Sequence, residues 1–311
     1  MERKMHYLLL FVVSLFFLSC GSGTKIDETP TRGNIKISVD ESYKLLIEAE
    51  VDVFERIYTY AVINAAYKTE VDAFNDLLND SVRTIIANRK LTDDEDKYLR
   101  SKSLIPRTTC IAYDALAFIV NNDNPDSTLR YDQIRDIFLG KISKWNQVNP
   151  KSSSDSLTVV FDNSKSGNPR YIREKFKVPG KFPANCFAVN SNEEVVNYVQ
   201  KSKNAIGIIS VNWISDRDDT TSNSFMKKMR IVGVVGEGDT EGIGPFLKPY
   251  QGYIAEGSYP FCREVYIICR ESFAGLGTGF ASFIAGDQGQ RIVLKSGLVP
   301  ATMPIRLIQT R

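Results

Sequence analysis

From Asn34 onward the chain switches repeatedly between two hydrophobic rhythms. Ile35, Ile37 and Val39 alternate with polar residues, the period of a strand with one buried face. Leu46, Ala49, Val53 and Ile57 then recur at helical spacing and fall on one face. Phe74, Leu77 and Leu78 predict a second helix, and residues 82–87 the next strand. Residues 116–120 form another apolar run. Residues 131–139, 193–201 and 279–294 read as helices, and residues 205–211 and 265–269 as extended segments. Val159, Val160 and Phe161 break into a polar loop, with Asn168 as the expected N-cap and Pro169 at the first helical position. Strands alternating with helices predict an α/β fold with a largely parallel sheet. Residues 216–224 and 236–244 read as loops. The glycines of the latter, and Gly275, Gly277 and Gly279, lack the strand–GxGxxG–helix setting of a dinucleotide site, so no such cofactor is expected.

The first residues follow another rule. Arg3 and Lys4 precede an apolar stretch, residues 8–18, interrupted only by Ser14 and too short to span a bilayer. Leu18-Ser19-Cys20-Gly21 resembles a bacterial lipobox, with Phe17 a departure from its usual aliphatic position. Residues 1–19 are therefore expected to be a signal peptide, Cys20 a lipidated N-terminus, and residues 20–32, with Pro30, a flexible tether. The protein would then be extracytoplasmic and meet the membrane only through its lipid. Removing residues 1–19 takes away two basic residues and one acidic one, so the formal charge falls from +2 to near +1. That balance gives no reason to expect a nucleic acid partner. It also removes His6, the only histidine, and with it Ser-His catalysis, Cys-His catalysis and any histidine-containing metal site. Cys110, Cys186, Cys262 and Cys269 show no metal spacing and are expected as buried free thiols.

Three stretches carry a family resemblance: DIFLGKISKWNQV (136–148), NAIGIISVNWI (204–214) and FASFIAGDQGQRIVLKSGLVP (280–300). Together, and in this order, they resemble the solute-binding proteins of phosphate ABC importers, the PstS-like proteins of the type II periplasmic binding fold. The likeness covers nearly all of residues 33–304. It implies a non-catalytic protein of two lobes, one of residues 33–117 and 252–311 and the other of residues 118–251. Two crossing segments, near 118–121 and 251–254, would form a hinge. A small anionic solute would lie in the cleft, and an ABC permease would be the partner.

In that family three loops at helix N-termini surround phosphate, and here the matching loops are altered. Val39-Asp40-Glu41-Ser42 stands for Gly-Ser-x-Thr, and Tyr67-Lys68-Thr69-Glu70 for a Ser/Gly-rich loop. In the third, Asp162 takes the place of an Arg, and Ser166-Gly167-Asn168 replaces Ser-Gly-Thr. The family's Ser-Arg appears as Asn88-Arg89. The resemblance thus nominates Asp40, Glu41, Ser42, Lys68, Thr69, Asn88, Arg89, Asp162, Ser166, Gly167, Asn168 and Arg170 as ligand-binding residues. Replacing Arg by Asp changes the local charge by two units. At ~4 Å and an effective dielectric of about 20, each unit is worth about 4 kcal/mol against a unit anion. A micromolar affinity is only about −8 kcal/mol, so weak phosphate binding is expected unless Lys68, Lys165, Arg89 or Arg170 compensates. Two other roles stay open for the acids. Asp40 and Glu41 suit a helix N-terminus, and Asp162 suits a turn. Alternatively Asp40 and Asp162 occupy the anion positions and the cleft caps itself. The alternative function is a protein-interaction module of an envelope complex on the same scaffold.

Overall fold

The computed structural model describes residues 28–152, 156–239 and 241–304. The expected signal peptide, the lipid site at Cys20 and most of the tether lie outside the described residues. The elements run β1 (Arg32–Asp40), a 3-10 turn (Glu41–Tyr43), α1 (Lys44–Ile57), β2 (Tyr60–Lys68), α2 (Glu70–Leu78), β3 (Thr84–Ala87), α3 (Asp93–Ser101) and β4 (Arg107–Asn121). There follow β5 (Thr128–Arg130), α4 (Tyr131–Phe138), α5 (Trp145–Val148), β6 (Thr158–Phe161), α6 (Gly167–Phe176), β7 (Cys186–Ala188), α7 (Asn192–Lys201) and β8 (Ala205–Ser210). The chain finishes with a 3-10 turn (Val211–Trp213), α8 (Thr220–Lys228), β9 (Met229–Ile231), β10 (Gly233–Val235), α9 (Gln251–Ala255), β11 (Cys262–Cys269), α10 (Leu276–Ala285), α11 (Asp287–Lys295) and β12 (Val299–Pro300). Among the described residues no helix is long and apolar enough to cross a membrane.

The main sheet runs β2-β1-β3-β11-β4-β8-β6-β7, with β9 and β12 also on β4. Its two wings are parallel: β2, β1 and β3 on one side, and β8, β6 and β7 on the other. The centre is antiparallel, because β11 opposes both β3 and β4, and β4 opposes β8. The parallel expectation therefore holds for the wings and fails in the middle. The long strand β4 joins them. Its residues 107–115 pair with β11, and residues 116–120 pair with β8. This gives a two-lobe α/β molecule of the periplasmic-binding-protein type, with β4 common to both lobes.

Helices dock on the wings through apolar faces. In the first lobe, Phe54 of α1 meets Phe280 and Phe283 of α10 edge-on at 5.3 and 5.2 Å. In the second, α7 lies so close to β8 that a Cβ at Gly207 would come within 2.6 Å of Val195 and 2.7 Å of Val199. Trp145 of the Gly-Lys-x-x-x-Trp segment is fully buried and donates its indole N–H to the Asn204 carbonyl at 3.0 Å, tying two of the three resemblance motifs together.

Three sequence expectations change. Residues 279–294 form two helices, because Gly286 is extended (ψ 173°) and caps α11. Residues 216–224 include the start of α8, whose N-cap Asp219 accepts from the Ser222 N–H at 2.7 Å. The helix after β6 starts earlier than expected, with Ser166 as N-cap in place of Asn168, because the Ser166 hydroxyl accepts from the Asn168 N–H at 3.3 Å. The glycine-rich loop after β10 is self-contained. The Asp239 carboxylate accepts the N–H groups of Gly242, Ile243 and Gly244. The four cysteines are free thiols, Cys269 buried and the others half-buried.

Candidate functional site

The carboxyl ends of β1, β3 and β6 converge at the lobe junction, in a crevice closed over Asp40, Asn88 and Asp162, all of them buried. Such crevices at strand ends are where open α/β sheets present ligand sites. From the first lobe, the buried Asp40 carboxylate accepts the Ser42 N–H at 3.0 Å and the Asn88 side-chain N–H at 3.3 Å. Burial, reinforced by the Glu70 charge, pushes its pKa up to about 7. Glu41 accepts from Asn192 of α7, and burial lifts it to about 7 as well. From the second lobe, the buried Asp162 accepts the Ser166 hydroxyl at 2.7 Å. Burial raises it to about 6, against the opposing pull of Ser166 and other donors.

At the centre lies Arg263, 5% exposed. Its Nε donates to Asp114 at 2.9 Å and its Nη1 to the Asn168 side-chain oxygen at 2.7 Å. Arg263 and Asp114 face each other on adjacent strands β11 and β4. The same Asp114 oxygen accepts the Ser210 hydroxyl at 2.9 Å. Arg263 pulls the pKa values of both Asp40 and Asp162 downward, so its field reaches the acids of each lobe.

The lobes touch through a second guanidinium. Arg170 reaches across to the buried Glu70, with Nε to Oε1 at 2.5 Å and Nη2 to Oε2 at 3.1 Å, and also donates to Asn88. The Val71 N–H donates to the Lys165 carbonyl at 3.2 Å. Gly167 sits against Asn88 so closely that an added Cβ would lie 2.0 Å from its amide nitrogen. Only a residue without a side chain fits there.

Of the nominated residues, the structure brings together Asp40, Glu41, Ser42, Asn88, Asp162, Ser166, Gly167, Asn168 and Arg170. Three are held at the rim. Lys68 pairs with Asp76 at 2.5 Å. Thr69 caps α2 through the Asp72 N–H at 3.2 Å. Arg89 forms a two-bond pair with Glu95, at 2.7 and 2.8 Å, over the Phe74 ring. Lys165 points to Asp72 at 3.7 Å. The cations expected to compensate therefore all have carboxylate partners, and Arg89 also approaches the Glu70 carboxylate that Arg170 binds, at 3.9 Å. Arg263, Asp114 and Glu70 were not nominated by sequence. A signal for the first two exists: each takes a slot in a strand alternation whose other members, such as Val265, Ile267, Ala112 and Leu116, are buried and apolar.

Several buried polar atoms around the crevice lack partners: the Ser42 hydroxyl and the side-chain oxygens of Asn192 and Asn212. Asn168 Nδ2 helps hold down the Asp162 pKa without completing a hydrogen bond. Such atoms are costly unless something pairs with them.

The family model described as PBP superfamily domain matches residues 26–288, most of the chain. The chain belongs to the PBP superfamily. Its curated relatives include the phosphate-binding protein PstS of Staphylococcus saprophyticus, 25% identical over 272 residues, which is 87% of this chain and 81% of that protein. Among solved structures it resembles a Clostridium perfringens protein assigned as a phosphate ABC transporter substrate-binding protein, solved with bound phosphate. That match has a TM-score of 0.72 and 22% identity, and covers 86% of this chain and all of that one. An ABC-type phosphate transport receptor from Vibrio cholerae matches with a TM-score of 0.65 and 18% identity over the same share of this chain and all of the other. These structures support the fold of this PBP chain. The ligand has to be argued from its own crevice.

Proposed function

We propose that this PBP is an extracytoplasmic, lipid-anchored solute-binding protein that holds a small oxyanion of the phosphate class between its lobes and serves an ABC importer. The lobes would be residues 33–117 with 252–311, and residues 118–251, hinged where the chain crosses between them. The observation that carries the reading is Arg263. It supplies a buried guanidinium at the lobe junction, beside the Asn168 amide and the start of α6, although residue 162 is an acid. An anion entering there would meet the α6 backbone N–H groups, the unpaired Ser42 hydroxyl and Arg263. It would also meet Asp40 and Asp162, so binding is strongest when these carry protons. Their raised pKa values place that change between about 6 and 7.

Calorimetry with phosphate, and with sulfate as an oxyanion whose own charge stays fixed, tests this at pH 5.5 and 8.0. Both should bind at least tenfold tighter at pH 5.5, and Arg263→Lys, which keeps the charge but not the fork, should lose most of that affinity. No heat from either anion at either pH would overturn the oxyanion reading. The second reading, a protein-interaction module, is favoured by one observation: the crevice is already bridged by Arg170–Glu70 and by Gly167 on Asn88. A partner co-purifying in the absence of solute would support it.

A further inference from the structure

The crevice holds more negative charge than its cations answer. Both guanidiniums in it are taken, Arg263 by Asp114 at 2.8 Å, and Arg170 by Glu70 at 2.5 Å and Glu174 at 2.7 Å. The cations at its margin are shared too. Arg89 lies between Glu95 and Glu70, and Lys44 pairs with Glu48 at 3.9 Å. Asp40, Glu41 and Asp162 have no cation at ion-pair distance among the described residues. Their side-chain hydrogen bonds come from neutral donors: the Ser42 N–H, the Asn88 and Asn192 amides and the Ser166 hydroxyl. Burial first, and then the charge of neighbouring carboxylates, makes Asp40 and Glu41 hold their protons.

The buried amides are turned to the same end. Asn192 donates its amide N–H to Glu41, and Asn212 donates its own to the Ser42 carbonyl at 3.1 Å. Each orientation is fixed, because the flipped amide would set oxygen against oxygen. The two amide oxygens are left without a donor, in residues 0% exposed. A bare oxyanion only accepts hydrogen bonds and cannot satisfy them. It suits the opposite set: the Ser42 hydroxyl, Asn168 Nδ2 and Arg263. The two sets adjoin at consecutive residues, since Glu41 holds Asn192 and Ser42 holds Asn212.

We infer that the oxyanion of this crevice carries its own amine: a small zwitterion of the aminoalkylphosphonate class, its phosphonate at Ser42, Asn168 and Arg263 and its ammonium among Asp40, Glu41, Asp162 and the two amide oxygens. This rests on the oxyanion reading above and narrows it. The ammonium supplies the missing positive charge, and its three N–H groups supply the missing donors. A bare anion needs the acids protonated, whereas the zwitterion is held best while they are ionised.

Calorimetry on the mature chain tests this with aminomethylphosphonate, methylphosphonate, which lacks the amine, and glycine, which keeps the amine on a carboxylate. At pH 8.0 aminomethylphosphonate should bind at least tenfold tighter than either of the others. Asp162→Asn should tighten methylphosphonate binding and shrink the advantage of the amine about tenfold, and Glu41→Gln should shrink it too. Equal affinity for the two phosphonates, an advantage undiminished in both variants, or glycine binding as tightly as aminomethylphosphonate would each overturn the assignment. Phosphate titrated at pH 5.5 separates the two readings. If phosphate binds and the amine adds nothing, the zwitterion falls and the oxyanion reading stands; if neither phosphonate nor phosphate gives heat, both fall.

Discussion

Asp162→Asn isolates what an acid costs in the crevice. The Asp162 carboxyl is 2% exposed, and burial moves its pKa from the ordinary 3.8 to about 6. A proton held more tightly in the native state stabilises it fully below about pH 4, and that stabilisation is lost as pH climbs to about 6. The difference of roughly two pKa units corresponds to about 3 kcal/mol. Asparagine keeps an oxygen for the Ser166 hydroxyl but carries no charge at any pH. The variant should therefore melt close to wild type at pH 4 and above it at pH 7.5, by roughly 4–8 °C for about 2–3 kcal/mol. Asp40 and Glu41, both near 7, extend the wild-type decline to neutral pH. Melting curves of both proteins from pH 4 to 8 provide the assay. A variant-minus-wild-type difference that does not grow with pH would refute the reasoning, because an effect of packing alone would be constant.

Glu50 of α1 is fully buried with neither oxygen bonded, and burial pushes it to about 9. Glu50→Gln should stabilise the protein by about 2–3 kcal/mol at pH 7 and by much less at pH 4, as read by denaturant unfolding. Gly167→Ala should hold the lobes apart, since its Cβ would collide with Asn88. Small-angle scattering should show a larger radius of gyration, and adding Asn88→Ala should restore the wild-type value. Cys20→Ala should release the protein from membranes into the soluble extracytoplasmic fraction, and retention in a fractionation assay would count against lipidation.

The alternation of strands and helices was legible because each element's apolar period is local. The antiparallel centre was not. Tyr266 pairs with Ala87 and Cys110, and nothing near residue 266 names those partners. The crevice was legible where a loop could be aligned, as at Asp40, Asp162 and Gly167. Arg263 escaped because its role comes from meeting Asp114 and Asn168, 149 and 95 residues away in the chain. For Lys68 and Arg89 the converse holds. Their acid partners, Asp76 and Glu95, lie only eight and six residues on, and nearby partners captured them.

The shared strand β4 also governs how the molecule can be made. Its two halves complete different lobes, and the β11 strand beside it is supplied only after residue 261. The first lobe's sheet therefore cannot close until the last sixth of the chain has arrived, and its central pairings span long loops that must be ordered first. A chain halted before β11 would expose the open edges of β3 and of the first half of β4, the kind of edge that recruits other chains. Folding is bound to be slow and late, and the lobes should melt together in one transition, since neither owns a complete sheet without the strand they share.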